Sequence, residues 1–151
     1  MTLMKKVTAV AATCLTLSLC KCSSLWEPWL NERLQLSVET SGTTNALLGV
    51  WGSDANNLWV VGEKGTILHW DGSVWMASAS PTKAKLNGIW GSAAADIWAV
   101  GDAGTILHYD GVSWNDRSVM GDDLHGAWGL AGTGNVWTVG GTFSSQSVLR
   151  L

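Results

Sequence analysis

The chain has 151 residues, a length that fits one domain, and a formal net charge of −3. Three of its nine Lys and Arg residues lie within the first 22 positions, which hold no Asp or Glu, so the remainder sets six cations against twelve anions. Such an acidic body excludes a phosphate-tracking surface, because nucleic-acid affinity rests on clustered Lys and Arg.

In chain order, Lys5 and Lys6 precede Val7–Cys20, a run of 14 residues without charge. A charged start and a short apolar run are the layout of a secretory signal, and the run is short for a membrane span of roughly 20 residues. All three cysteines, Cys14, Cys20 and Cys22, lie here, so the rest of the chain holds no internal disulfide or Cys metal site. The segment resembles a bacterial lipoprotein signal, with Cys20 as the candidate lipidation site. Leu19 is bulky where that pattern has Gly, Ala or Ser, and plain cleavage with release is the alternative. Either way the expectation is export, to the cell envelope or beyond it. Contact with a membrane is expected only through the signal or a lipid. Residues 1–22 are thus taken as the signal and 23–33, with Trp26, Pro28 and Trp29, as a tether.

The remainder, 34–151, is built on a repeat. Gly49-Val50-Trp51-Gly52 returns at Gly88–Gly91 and Gly126–Gly129. Leu58-Trp59-Val60-Val61-Gly62 returns at Ile97–Gly101 and Val136–Gly140. Moving Leu47–Trp75 by 39 positions gives 17 identities in 29. A period near 40 is the range of propeller blades. Each unit reads as four short strands, a to d. In the first unit these are about Leu47–Gly52, Leu58–Gly62, Thr66–Trp70 and Ser73–Ser78, with turns at Ser53–Asn57 and Glu63–Gly65. The segments are short, rich in Trp, Val and Ile, and bounded by Gly, Asp, Asn and Ser. Asp71-Gly72 and Asp110-Gly111 signal two-residue type I′ turns. Eleven Trp stand against one Phe and one Tyr. An indole buries about 150–250 Å², so Trp51, Trp59, Trp75, Trp90, Trp98, Trp114, Trp128 and Trp137 are expected to pack blade on blade.

These motifs resemble the Trp-rich repeats of bacterial exported β-propellers, of the form VWG…WAVG…GTILHYDGxxW. They are similar more widely to sialidase-type Asp-box, WD-repeat and photosystem assembly-factor propellers. The likeness spans about Leu34–Leu151. The turn here is Asp-Gly-x-x-Trp, one residue shorter between Asp and Trp than the Asp-box. The resemblance implies that Asp71 and Asp110 form turns and do not act as catalytic acids.

The units divide as 34–46 (strand d of a split blade), 47–85, 86–123 and 124–151 (strands a to c of the split blade). The third unit has a longer b–c loop at Gly141–Gln146 and strand c at Ser147–Leu151. The class expected is therefore all-β: about three four-stranded antiparallel blades, incomplete as one closed propeller. Two continuations fit. Either two copies form a homodimeric six-bladed ring, or the chain is a shortened relative of a longer propeller; the degenerate third unit favours the second.

Chemistry is sparse. His69 and His108 are repeat equivalents that fan apart on successive blades, so no metal site is expected of them. The arginines, Arg33, Arg117 and Arg150, occupy non-equivalent places, which argues against sialidase chemistry. No motif for a nucleophile, a phosphate or a cofactor occurs. In propellers the b–c loops and d–a connections share one face. Here they carry Glu63, Lys64, Lys83, Lys85, Asp102, Arg117, Asp122 and Asp123, which vary between units while the strands do not. These form the candidate binding face. The function expected is a non-catalytic scaffold for a protein or glycan ligand; the alternatives are a sialidase-like hydrolase or lyase, and a remnant of a longer propeller.

Overall fold

Residues 37–142 and 145–151 are described in the structure, a computed structural model. The signal at 1–22, lipidation at Cys20, the tether at 23–33 and positions 34–36 of the first strand d lie outside the described residues. Ser37–Glu39, the rest of that expected strand, adopt no strand pairing. The chain divides into units at 1–39 and 40–151, and the second holds all the sheets described below.

Short β-rich segments separated by turn residues can only pair as antiparallel meanders, and that is what they do. Strands β1 (Leu47–Asp54), β2 (Asn57–Gly62), β3 (Ile67–Trp70) and β4 (Trp75–Ala77) form one sheet in chain order. Strands β5 (Leu86–Ala93), β6 (Asp96–Gly101), β7 (Ile106–Tyr109) and β8 (Trp114–Asp116) form the second. Strands β9 (Leu124–Leu130), β10 (Asn135–Thr142) and β11 (Ser145–Arg150) form a third sheet of three strands. The innermost strands lie side by side, β1 against β5 and β5 against β9. This is a β-propeller-like array of blades, all-β and incomplete as a closed ring.

Three local expectations are corrected. Strand a runs on to Asp54, and the Ser53–Asn57 turn contracts to two residues between paired Asp54 and Asn57. The Asp54 carboxylate accepts the Asn56 N–H at 2.9 Å, and Asn57 Nδ2 donates to Ser53 Oγ at 2.7 Å, which closes the tighter turn. The Asp-Gly turns are not type I′. Trp70 pairs with Trp75, so four residues intervene, and Gly72 has positive φ (97°) while Asp71 does not. The Asp71 carboxylate accepts the N–H groups of Ser73 and Val74, so a side chain closes the loop and only one residue must enter the left-handed region. In the third sheet the longer b–c loop is absent. The ladder between β10 and β11 continues to Thr142 and Ser145, past Gly141 at φ 122°.

The core lies between sheets. Val61, Ile67, Leu86, Ile97, Ala99 and Leu107 are buried between the first and second, with Trp59 and Trp114. Val100, Ile106 and Leu124 continue it toward the third, where Trp98 and Leu149 pack against them. The strand-a indoles have a further role. A Cβ on Gly91 would lie 2.7 Å from the Trp51 ring, and one on Gly129 would lie 2.6 Å from the Trp90 ring. Each indole therefore seats in a glycine notch of the next sheet. Trp75 instead pairs with Trp70 of its own sheet, at 5.5 Å between centroids. Trp128 and Trp137 lie exposed on the third sheet, away from the other two.

Candidate binding face

The b–c turns and d–a connections interlock at one end of the sheets. The same hydrogen bond recurs three times, all at 2.9 Å: Glu63 N–H donates to Ala46 O, Asp102 N–H to Lys85 O, and Gly141 N–H to Asp123 O. It brings the residue before strand a against the end of strand b. At Gly62, Gly101 and Gly140 a Cβ would stand 2.1, 2.0 and 2.2 Å from that carbonyl oxygen. Gly62 and Gly101 are extended, with φ of −171° and −163°, so glycine is required there by close approach and not by backbone angle. The b–c turns then rest on the connections that lead to the next sheet. Val119 N–H donates to Gly104 O at 3.0 Å and Gly104 N–H to Asp122 O at 2.9 Å. Lys64 (φ 55°) and Ala103 (φ 54°) occupy the same left-handed position in the two turns, a conformation that costs a side-chain-bearing residue about 1–2 kcal/mol.

The sequence-derived candidates fall at this end, in two groups. Asp102 accepts from Asn87 Nδ2 at 2.8 Å, and the same amide donates to Leu124 O at 2.9 Å, which ties β5 to β9. Asp123 accepts the Ala103 N–H at 2.8 Å. These carboxylates, like the Asp122 carbonyl, hold the loops in place. Glu63, Lys64, Lys83, Lys85 and Arg117 are exposed. The Arg117 N–H donates to Ile106 O at 2.8 Å, which anchors its backbone at the same end. The face is thus a braced floor with an exposed, mixed-charge rim.

A second cluster, which sequence reasoning passed over, sits at the opposite end of strands b and c. His108 Nε2 lies 2.8 Å from Asp96 Oδ1, Trp98 Nε1 donates to the same oxygen at 3.1 Å, and Ser92 Oγ donates to the other. Burial opposes ionisation of Asp96, but the bonds from Ser92, His108 and Trp98 outweigh it and hold the carboxyl below its usual range. In the first sheet Asn57 takes the place of Asp96, with His69 Nε2 at 2.7 Å and Trp59 Nε1 at 3.1 Å. In the third, the Arg150 guanidinium lies over the Trp137 ring at 5.9 Å. The hydroxyl of Ser92 bonds the carboxylate and not the imidazole, so the cluster is a lock between the a–b turn and strand c. Its signal was the twelve-residue interval from Asn57 to His69 and from Asp96 to His108. Among the described residues no three His, Cys, Asp or Glu side chains converge to hold a metal.

The c–d turns carry the largest electrostatic effect. Asp71 is held at about 2, from 3.8, by the Val74 N–H and then by the Ser73 hydroxyl and N–H. Asp110 is lowered by the N–H groups of Ser113 and Val112, and Asp116 by Ser118. These groups bind a proton less readily folded than unfolded. Their stabilisation is complete above the unfolded value and is lost as pH falls below it, for Asp71 across the span from 3.8 toward about 2. Denaturant unfolding should therefore show stability dropping across that window. Asp71→Asn keeps a carbonyl acceptor for the turn and should make the drop shallower; an unchanged profile would remove Asp71 from the account.

No family model matches this sequence, and no curated protein matches it. Among solved structures, it is similar to a chain described as "YCF48 bound to D1 peptide", with a TM-score of 0.59 and 22% identity. The likeness covers 72% of this chain but only 37% of that one. At this identity it establishes the β-propeller fold and nothing finer.

Proposed function

We propose that this protein is an exported, non-catalytic β-propeller scaffold that binds a protein segment at the interlocked loop end. The observation that carries the proposal is the division of labour there. Backbone bonds and the carboxylates of Asp102 and Asp123 fix the loops, while Glu63, Lys64, Lys83, Lys85 and Arg117 stand exposed and differ from unit to unit. A rigid frame with variable charged loops suits recognition of a partner at low ordering cost. The similar propeller is described as holding a peptide, which makes a peptide the first ligand class to try. Export rests on the charged start and apolar run of residues 1–22, and anchoring on lipidation at Cys20. A glycan is the second ligand class, favoured by the exposed indoles of Trp128 and Trp137.

Parallel peptide and glycan arrays with the full chain test the ligand class. A specific peptide whose binding weakens about tenfold in the triple variant Lys64→Glu, Lys83→Glu, Lys85→Glu is the expected result. Glycan binding that ignores those charges, or turnover of a glycoside, would replace the proposal.

A further inference from the structure

The segments that lead into β1 and β5 share one frame. Thr43 Oγ1 accepts the Asn45 N–H at 3.1 Å, and Thr82 Oγ1 accepts the Ala84 N–H at 3.0 Å. Ser41 Oγ donates to Thr43 O at 3.4 Å, and Ser80 Oγ donates to Thr82 O at 3.2 Å. Two positions of this frame differ in charge: Thr44 and Ala46 before β1 become Lys83 and Lys85 before β5. The b–c turns differ in the same way. Lys64 stands in the first where Ala103 stands in the second, in the same left-handed conformation. The fold forms these turns without lysine, so the three charges serve something other than the turns.

The three also meet. A Cβ on Gly65 would lie 2.0 Å from Thr82 O and 3.2 Å from Lys83 Cα, so the turn that carries Lys64 rests on the connection that carries Lys83 and Lys85. All three side chains are exposed. Among the described residues none of their ammonium groups takes part in an ion pair. At the next junction the sign reverses, but there the carboxylates of Asp102 and Asp123 are held by Asn87 and by the Ala103 N–H. We propose that the loop end takes an acidic peptide segment, whose carboxylates lie on Lys64, Lys83 and Lys85 where the first and second sheets meet. This rests on the reading of that end as a peptide-binding face. The surroundings favour a narrow partner. Past residue 22 the chain sets six cations against twelve anions, and Glu63, Asp102 and Asp123 share this end. A broad anionic surface, such as a bilayer, would meet those anions together with the lysines, whereas an extended peptide can cover the lysines alone. Exposed charges of this kind give encounter rate and salt dependence more than affinity.

Fluorescence anisotropy of labelled heptaglutamate, heptalysine and a neutral Gly-Ser heptamer on the full chain tests this. Heptaglutamate is expected to bind, more weakly as salt rises, and the other two are not. The triple variant Lys64→Ala, Lys83→Thr, Lys85→Ala gives each position the residue that its repeat equivalent already carries. It should therefore keep the far-UV spectrum of the parent and weaken heptaglutamate binding about fivefold. Replacing the same three lysines by arginine keeps the charge and should hold binding within about twofold of the parent. Arg150→Ala removes a cation from the third sheet and should change nothing. Heptaglutamate that fails to bind, or that binds parent and triple variant alike, overturns the proposal. So do phosphatidylglycerol vesicles captured through these lysines in preference to heptaglutamate. Neutral or basic peptides selected on arrays would overturn the acidic assignment and leave the peptide-binding face standing; arrays on which only glycans bind would overturn both.

Discussion

Trp59→Ala is expected to destabilise the protein by about 3–5 kcal/mol, the loss seen when a large aromatic leaves a close-packed core. Trp59 is 4% exposed. Its ring lies 4.7 Å from that of Tyr109 and 5.5 Å from that of Trp114, nearly edge-on to the latter at 76°. Both partners belong to the second sheet, so the substitution opens a cavity where two blades meet. It also removes the indole N–H bond to Asn57. Trp137 occupies the same repeat position in the third sheet but is 42% exposed, and Trp137→Ala should cost about 1 kcal/mol or less. Urea unfolding of the two variants measures the difference. Equal losses would mean that the indoles do not hold blade to blade.

Gly101→Ala should be nearly as damaging, at about 3 kcal/mol, from overpacking and a strained hydrogen bond together. The new methyl group would meet the Lys85 carbonyl oxygen at 2.0 Å. That oxygen is backbone, and it is fixed by the Asp102 N–H at 2.9 Å. No side-chain rotation relieves the contact, so β6 or the connection into β5 must move, and the loop end moves with it. Gly121 provides the control: a Cβ there meets nothing within 4 Å and its φ is not positive. Gly121→Ala should leave stability within about 0.5 kcal/mol of the parent or raise it slightly. Thermal unfolding separates the two outcomes, and matching transition temperatures would show that the interlocked backbone tolerates an ångström-scale shift.

The Asp-Gly turns show how far local signals reach. Asp71 and Asp110 are turn residues by composition, and they do lie between strands c and d. Residue preference points to a type I′ hairpin, but the Asp71 carboxylate closes the turn in place of a backbone bond, an option that preference alone does not rank. The same limit applies at the candidate site. The loops were legible as variable and charged, but Asp102 and Asp123 could not be told from their neighbours. Their role depends on Asn87 and on the Ala103 N–H, groups brought to them only by the folded connections. The Asp96–His108 lock was missed for a related reason. Its two members lie twelve positions apart, and only pairing of β6 with β7 makes them neighbours.

The sequence by itself determined the blade: a period near 39, short segments rich in Trp, Val and Ile, and turn residues between them settle a small antiparallel sheet because each of those effects is local. It also determined where the indoles and glycines recur. Tertiary structure alone decided that an indole in one sheet lies over a glycine in the next, that a glycine at the end of strand b admits a carbonyl, and that equivalent residues are buried in one blade and bare in another. Those outcomes turn on contacts between segments tens of residues apart, where chemically identical positions differ only in what stands beside them.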